Sequence, residues 1–325
     1  MKIVHLVLSN VYAGIEQHVN ELVLNLEQES KTDVIIICNK EIASRFDGNN
    51  IQVINNFSRR SPIGLIKLLL KIHKIKPDII HTHGSKTTSI INVIKKFLPI
   101  KHVATAHGIK NKTSVYKKAT KLITVSQMVK ESIEASSVVI NNWYPPIVQD
   151  KKSLNNDYVL AVGRLEKVKG FDLLIKSWIN IKDNLIIIGS GKEYDSLINL
   201  ISQHNLDTKI QIIDEMSQED LVDYYKNASM IVISSRSEGG PRVALEALYQ
   251  EIPVISTNVG HMAEILPKEL LAEPDNLESL KDLIEAYVGN ENYSQDSIYE
   301  YIKQEFSGIS QSKKILNIYR ELFVS

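Results

Sequence analysis

The segment Ser237-Glu238-Gly239-Gly240-Pro241-Arg242-Val243-Ala244-Leu245-Glu246 carries two carboxylates eight positions apart, directly after the apolar run Met230-Ile-Val-Ile-Ser234. This spacing predicts Glu238 on a strand-to-helix loop and Glu246 two turns into the helix that follows. A glycine-rich loop opening a helix offers bare backbone N–H groups and the positive end of the helix dipole. Such a corner suits a nucleotide diphosphate, with carboxylates at hand for sugar hydroxyls. Upstream, Gly163-Arg164-Leu-Glu-Lys-Val-Lys169-Gly170 supplies two cations on another turn. A guanidinium and an ammonium there can stabilise the charge that develops on a departing diphosphate without a metal. Glu246 has Val243, Ala244, Leu245, Ala247 and Leu248 around it, which disfavours a fully solvated position. It is placed to accept both ribose hydroxyls. Together these residues describe a site for an activated sugar.

Other chemistry-bearing residues carry weaker signals. His107, in Thr105-Ala-His107-Gly108, can hydrogen-bond a sugar hydroxyl or support charge near the anomeric centre. A satisfied histidine under a loop explains it equally well. His81 and His83 with His107 imitate a three-histidine zinc set, but no acidic or cysteine ligands accompany them, so no metal is expected. Gly14, in Ala13-Gly14-Ile15-Glu16, either lets donor or acceptor approach the backbone or is a turn glycine. In Gly189-Ser190-Gly191 the third glycine of a dinucleotide fingerprint is replaced by Tyr194. That disfavours NAD and leaves a tight turn near the nucleotide.

The elements that must position these groups alternate along the chain. Apolar, β-branched runs predict strands at 2–8, 33–38, 78–81, 101–105, 121–125 and 137–140. A second series falls at 158–162, 184–188, 209–213, 229–233, 252–256 and 269–272. Helical patterns lie between them, at 15–29, 63–75, 85–97, 126–134, 170–179, 192–203, 217–226 and 241–250, with a last amphipathic helix at 311–323. This alternation predicts an α/β protein with two doubly wound parallel sheets. At 325 residues the chain is long enough for two domains. The residues singled out above follow strands, where open α/β sheets bind ligands, and are expected to face one interdomain cleft. The Pro-, Asn- and Lys-rich stretch from Asn141 to Asn156 is the expected linker. The division is placed at 1–145 and 146–307, with 308–325 returning to the first domain.

The net charge is zero, but residues 1–150 hold 20 Lys/Arg against 11 Asp/Glu, and residues 151–325 hold 18 against 27. Between 59 and 130 there are 16 basic residues and one acid, Asp78. In the helix at 63–75, Lys67, Lys71 and Lys74 form a stripe, and the leucines and isoleucines are expected to pack on the sheet. With Arg59, Arg60, Lys95, Lys96, Lys101, Lys110, Lys112, Lys117, Lys118 and Lys121, the basic surface over 59–121 predicts docking on an anionic membrane. Aromatics are not interleaved with these charges, so nucleic acid is not an expected partner. The single cysteine, Cys38, sits in an apolar strand and fits a reducing cytoplasm. No leader peptide and no spanning segment are expected.

The ordered series Gly14-Ile-Glu16, Asp78-Ile-Ile-His81, His107-Gly108, Val125-Ser126, Gly163-Arg164-Leu165, Lys169-Gly170, Gly189-Ser-Gly191, Glu238 with Glu246-Ala247, Pro253-Val254 and Gly260 with Glu264 resembles glycosyltransferase family 4 (group 1). These are retaining enzymes of the GT-B fold, and the resemblance covers nearly the whole chain. It implies that Arg164 and Lys169 bind the donor diphosphate, Glu246 the ribose and Glu238 the donor sugar. It places His107 near the reacting sugar, and adds backbone N–H donors from Gly239, Gly240, Pro241, Arg242 and Val243 (proline contributing none). It further implies front-face transfer of a hexose-type sugar from a nucleotide-diphosphate donor to a glycan or lipid-linked acceptor. No cofactor and no divalent metal are needed. The Lys-, Ile- and Asn-rich composition suggests a bacterium, hence surface polysaccharide assembly (lipopolysaccharide, capsule or exopolysaccharide) on the inner face of the cytoplasmic membrane. Two positions depart from the family pattern: Ala13-Gly14 replaces a glycine pair, and Asn141-Asn142-Trp143 replaces Pro-Asn-Gly at the hinge. A sugar-nucleotide epimerase of the same plan, or a non-catalytic nucleotide-sugar-binding protein, are the alternatives.

Overall fold

The computed structural model describes residues 1–29, 32–109, 113–144, 158–290 and 294–324. The predicted linker from residue 145 onward, together with Lys110 and Lys112, lies outside the described residues. The chain forms two compact units, Met1–Pro145 with Ser307–Ser325, and Pro146–Phe306. Among the described residues no helix is long and apolar enough to cross a membrane.

Among its described residues unit 1 holds seven parallel strands: β1 (Lys2–Val7), β2 (Asp33–Asn39), β3 (Ile51–Ile54), β4 (Ile79–His83), β5 (Lys101–Ala106), β6 (Lys121–Thr124) and β7 (Val138–Val139), in the order β3-β2-β1-β4-β5-β6-β7. Its principal helices are α1 (Gly14–Glu29), α2 (Pro62–Ile75), α3 (Gly84–Ile94), the short α4 (Gln127–Glu131) and, from the far end of the chain, α5 (Gly308–Val324). Side chains alternate across a strand, so each strand feeds two cores. Ile3 and Val7 of β1 join Val34, Ile36 and Cys38 under α1 and α5. Val4 and Leu6 join Ile35 and Ile37 under α2 and α3. The same period fixes the side of the polar residues. His5, His81, His83 and Thr105 fall on the first face, in register across β1, β4 and β5. Thr82 and His102 fall on the second, where His102 Nε2 lies 2.8 Å from Thr82 Oγ1.

Unit 2 holds β8 (Tyr158–Val162), β9 (Leu185–Ile188), β10 (Ile210–Ile213), β11 (Ala228–Ile233), β12 (Val254–Thr257) and β13 (Leu271–Ala272), all parallel, in the order β10-β9-β8-β11-β12-β13. Its helices include Phe171–Ser177, Tyr194–Gln203, Gln218–Asn227, Arg242–Tyr249, Leu277–Tyr287 and Asp296–Glu305. Both sheets reverse their winding beside their first strand, between β1 and β4 and between β8 and β11. Ligands of open α/β sheets bind at the carboxyl ends there.

Two expectations change. Strand β3 was not among the predicted strands: it is a four-residue edge strand between asparagine pairs, too short to show its period. In α2 Gly64, Leu68 and Ile72 are fully buried, a narrow four-residue spacing, with Leu65, Leu69 and Ile75 packed half-buried beside them. Ile63, Ile66 and Leu70 therefore face outward, 68%, 55% and 61% exposed, rather than packing on the sheet. The helix itself is well specified. Ser61 caps it by accepting from Gly64 N at 3.2 Å, Pro62 opens it, and Lys76 ends it at φ 52°.

Candidate active site

In unit 2 the loops after β8 and β11 meet. Lys169 Nζ donates to Glu238 Oε1 at 2.5 Å, and Ser235 Oγ donates to the same oxygen at 2.9 Å. Both members of the ion pair are largely shielded, at 19% and 16% exposure. Two features hold the loops this close. Gly170 sits at φ +67°, and a Cβ there would stand 2.1 Å from Ser234 O, so only glycine fits. Ser234 Oγ donates in turn to Lys169 O at 2.9 Å.

Arg236 is one candidate-site residue that the sequence did not reveal. Its guanidinium forks onto Asp172 at 2.7 and 2.8 Å, reaches Asp275 at 2.5 Å and donates to Lys167 O at 2.7 Å. Its own N–H donates to Val168 O at 2.8 Å. Arg236 thus ties the loop bearing Glu238 to the turn bearing Lys169. Burial opposes the charge on Asp172, but hydrogen bonding and attraction from Arg236 prevail and hold its carboxyl below the usual range. The signal available was a single arginine at a strand end, without a visible partner.

Arg164 and Gly189 lie on strand-end loops of unit 2, and Gly239, Gly240 and Glu246 follow Glu238 into the next helix. Arg164 lies on the same turn as Lys169, but its side chain is exposed and its Nη1 donates to Glu166 Oε1 at 2.7 Å. Gly189 is a close-packing glycine: a Cβ would meet Gly163 O at 1.9 Å, binding the β9 loop to the β8 loop. Gly239 and Gly240 are pressed from behind by Gly260, where a Cβ would stand 2.9 Å from Gly240 Cα. Pro241 precedes the helix Arg242–Tyr249 without a side-chain cap, so the first-turn N–H groups, Val243 included, are left to other acceptors. Glu246 is buried in that helix and accepts from Tyr225 Oη at 2.8 Å. Burial raises the Tyr225 pKa far above its ordinary value, and the Glu246 charge adds to this while Arg242 works against it. Tyr225 therefore stays protonated and donates. It was not legible from sequence, since its helix partner is fixed only by packing.

In unit 1 the switch-point strand ends carry a histidine cluster. His5 Nδ1 lies 3.1 Å from His83 Nε2, and His83 Nδ1 lies 3.2 Å from His107 Nε2. His81 lies 2.5 Å from Tyr319 Oη and 2.7 Å from Thr105 Oγ1. His18 of α1 sets its ring edge-on to His107 at 4.8 Å and against Trp143 at 4.1 Å. Trp143 Nε1 donates to Glu21 Oε2 at 2.7 Å. Burial drops the His5 pKa to about 3. Burial and then the neighbouring rings hold His81 and His83 well below the usual value. Among the described residues the convergent trios are His5/His81/His83 and His18/His83/His107, not the His81/His83/His107 set that the sequence suggests. Gly14 opens α1 with open space at its Cβ position, and Glu16 caps the turn by accepting from Ala13 N at 3.0 Å.

Comparison with known proteins follows the same division. Residues 147–305 match the family Glycosyl transferases group 1, and residues 12–142 match Glycosyltransferase Family 4. An uncharacterized glycosyltransferase of Methanocaldococcus jannaschii is 32% identical over 238 residues, 66% of this chain and 66% of that protein. The chain spans 66%, 47% and 46% of the length of three curated relatives that it matches, this one included. Among solved structures, Anabaena HepE in complex with UDP and glucose superposes with a TM-score of 0.85 at 16% identity, over 98% of this chain and 99% of that chain. The lipopolysaccharide outer core galactosyltransferase WaaB superposes with a TM-score of 0.80 at 18% identity, over 99% and 100%. At these identities the superpositions establish the shared GT-B architecture.

Proposed function

Given that the chain belongs to the group 1 glycosyltransferases, we propose that it moves a hexose-type sugar from a nucleotide-diphosphate donor to a glycan or lipid-linked acceptor, with retention and without a divalent metal. The observation that carries this reading is the Lys169–Glu238–Ser235 cluster at the switch point of unit 2. A departing diphosphate needs a cation, and Lys169 is held there by its carboxylate partner until an anion arrives. Arg164, on the same turn, adds a second positive charge. Glu238 is then released to the hydroxyls of the donor sugar. Glu246, kept in place by Tyr225, accepts from the ribose, and the uncapped helix start offers N–H donors to phosphate. His107 hydrogen-bonds the transferred sugar. The acceptor hydroxyl attacks the anomeric carbon on the face from which diphosphate leaves. The old carbon–oxygen bond breaks as the new one forms, and the acceptor's proton passes to the departing phosphate oxygen. No protein nucleophile takes part. The likeness to WaaB supports a place in bacterial surface polysaccharide assembly.

Calorimetric titration with UDP, GDP and ADP tests the donor site. One nucleotide is expected to bind best, and Glu246→Gln is expected to weaken it about 10- to 100-fold, the loss of a charge-assisted pair of hydrogen bonds. The variant should also cease to distinguish ribose from 2′-deoxyribose. Wild-type affinity and ribose preference in the variant would remove Glu246 from the site.

The second partner proposed is an anionic membrane surface, the inner face of the cytoplasmic membrane. On α2 the outward residues Ile63, Ile66, Lys67, Leu70 and Lys74 form one stripe of apolar side chains flanked by cations. Each lysine near an acidic surface contributes about 1 kcal/mol, and partial burial of an isoleucine or leucine adds a comparable amount. The wild-type protein is expected to sediment with phosphatidylglycerol-containing vesicles and not with phosphatidylcholine alone. Ile66→Ser/Leu70→Ser should weaken this binding at least 10-fold. Equal partition onto neutral vesicles, or no effect of the substitutions, removes the membrane from the account.

A further inference from the structure

We infer that His5 and His83 are positioning residues that lock the His107 ring in its Nδ1–H tautomer. The inference rests on the reading above only in placing His107 on the transferred sugar; the lock itself stands on geometry. The three rings form one hydrogen-bonded chain because β1, β4 and the end of β5 are neighbours in the sheet. His5 Nδ1 is 3.1 Å from His83 Nε2, and His83 Nδ1 is 3.2 Å from His107 Nε2. His83 therefore uses both ring nitrogens against other imidazoles. A neutral imidazole has one N–H and one lone pair, so it must donate on one side and accept on the other. Burial keeps His5 and His83 neutral.

Only two proton arrangements satisfy this chain. In the first, His5 Nδ1–H donates to His83 Nε2, and His83 Nδ1–H donates to His107 Nε2. His107 then carries its proton on Nδ1. In the second every donor is reversed, and His5 must carry its proton on Nε2. That atom decides between them. His5 Nε2 is buried and has no hydrogen-bond partner among the described residues. The second arrangement would strand an N–H donor there, whereas the first leaves only a lone pair. Orphaned buried N–H groups are the rarer of the two defects in folded proteins. The first arrangement is therefore the resting one. The edge-on His18 ring, itself braced on Trp143, fixes the plane of His107 from the side.

The consequence is chemical. His107 offers the sugar an N–H donor at Nδ1, not a basic lone pair, and its other nitrogen is committed to His83. It orients a sugar oxygen and takes no proton, which suits a transfer whose proton goes to phosphate.

The test is nitrogen-15 NMR on the full chain labelled at histidine, with His107 assigned from the His107→Gln spectrum. A protonated ring nitrogen and a bare one are separated widely in shift. Wild type is expected to show His107 protonated on Nδ1 and bare on Nε2, and His5 likewise protonated on Nδ1. His83→Phe should release His107 to the Nε2–H form and lower kcat about 10-fold with little change in the donor KM. His83→Asn, whose amide can still donate where Nδ1 stood, should keep the Nδ1–H signature and most of the rate. Wild-type His107 protonated on Nε2 overturns the proposal, and so does an Nδ1–H that persists in His83→Phe. Should His83→Phe not fold, the wild-type spectrum decides alone. A lost Nδ1–H with unchanged kcat would leave the lock standing and remove His107 from the sugar.

Discussion

Between pH 7 and pH 5 unit 1 is expected to lose a large part of its stability. Burial keeps His5, His81, His83 and His102 neutral. His5 and His102 have pKa values lowered to about 3, mainly by burial, and His81 and His83 are lowered well below the usual 6.5. Below pH 6.5 the unfolded chain takes up protons at these positions and the folded chain does not. Stability from neutral burial is thus complete above 6.5 and falls as pH descends toward the folded values. His5 and His102 each remove about 1.4 kcal/mol per pH unit, so at pH 5 the two together have removed about 4 kcal/mol, and His81 and His83 act in the same direction. That is a large share of the stability of a typical domain, about 5–15 kcal/mol. Thermal melts followed by circular dichroism across this range check it. His102→Gln should reduce the pH slope. A melting temperature constant from pH 7.5 to pH 5 would refute the expectation.

Lys169→Met is expected to cut kcat about 10²- to 10³-fold, the usual cost of removing one preorganised charge from a developing anion. Donor binding should weaken as well, and for a separate reason. Without Lys169 the shielded Glu238 carboxylate keeps only Ser235 from this cluster and repels an incoming diphosphate. The double variant Lys169→Met/Glu238→Gln separates the effects: it should recover nucleotide affinity without recovering turnover. Steady-state kinetics and nucleotide titration on the three variants form the cycle. Near-wild-type turnover in Lys169→Met would take the diphosphate away from this loop. The Arg236 tie makes the comparison clean, because it holds both loops independently of the Lys169 side chain.

The fold was legible because strands buried on both faces read as continuous β-branched runs, and twelve such runs alternate with helical patterns. Strand β3 has four residues at a sheet edge, and a period of two cannot be seen in so short a run. Lys169 and Glu238 were legible because strand-end loops collect ligand chemistry. Arg236 and Tyr225 were not, since their roles depend on Asp172 and Glu246, partners that only tertiary packing brings near. His107 was found, but its neighbours His5 and His18 were not. They lie roughly ninety to a hundred residues earlier in the sequence, and strand register together with helix docking creates the contact. The outward isoleucines of α2 show the limit of composition: an apolar helix need not spend every apolar residue on its core.

Helix α5 supplies Tyr319 to His81 and Ile315, Leu316 and Leu322 to the core beneath β1, yet it is translated after all of unit 2. At about 5–20 residues per second, on the order of ten to thirty seconds pass on the ribosome before it can dock. During that interval one face of the first sheet waits without its final cover. The imidazoles and threonine along that face make it less adhesive than a purely aliphatic one. The same row of histidines that is expected to make the finished unit acid-sensitive thus tempers the nascent chain while it awaits this helix.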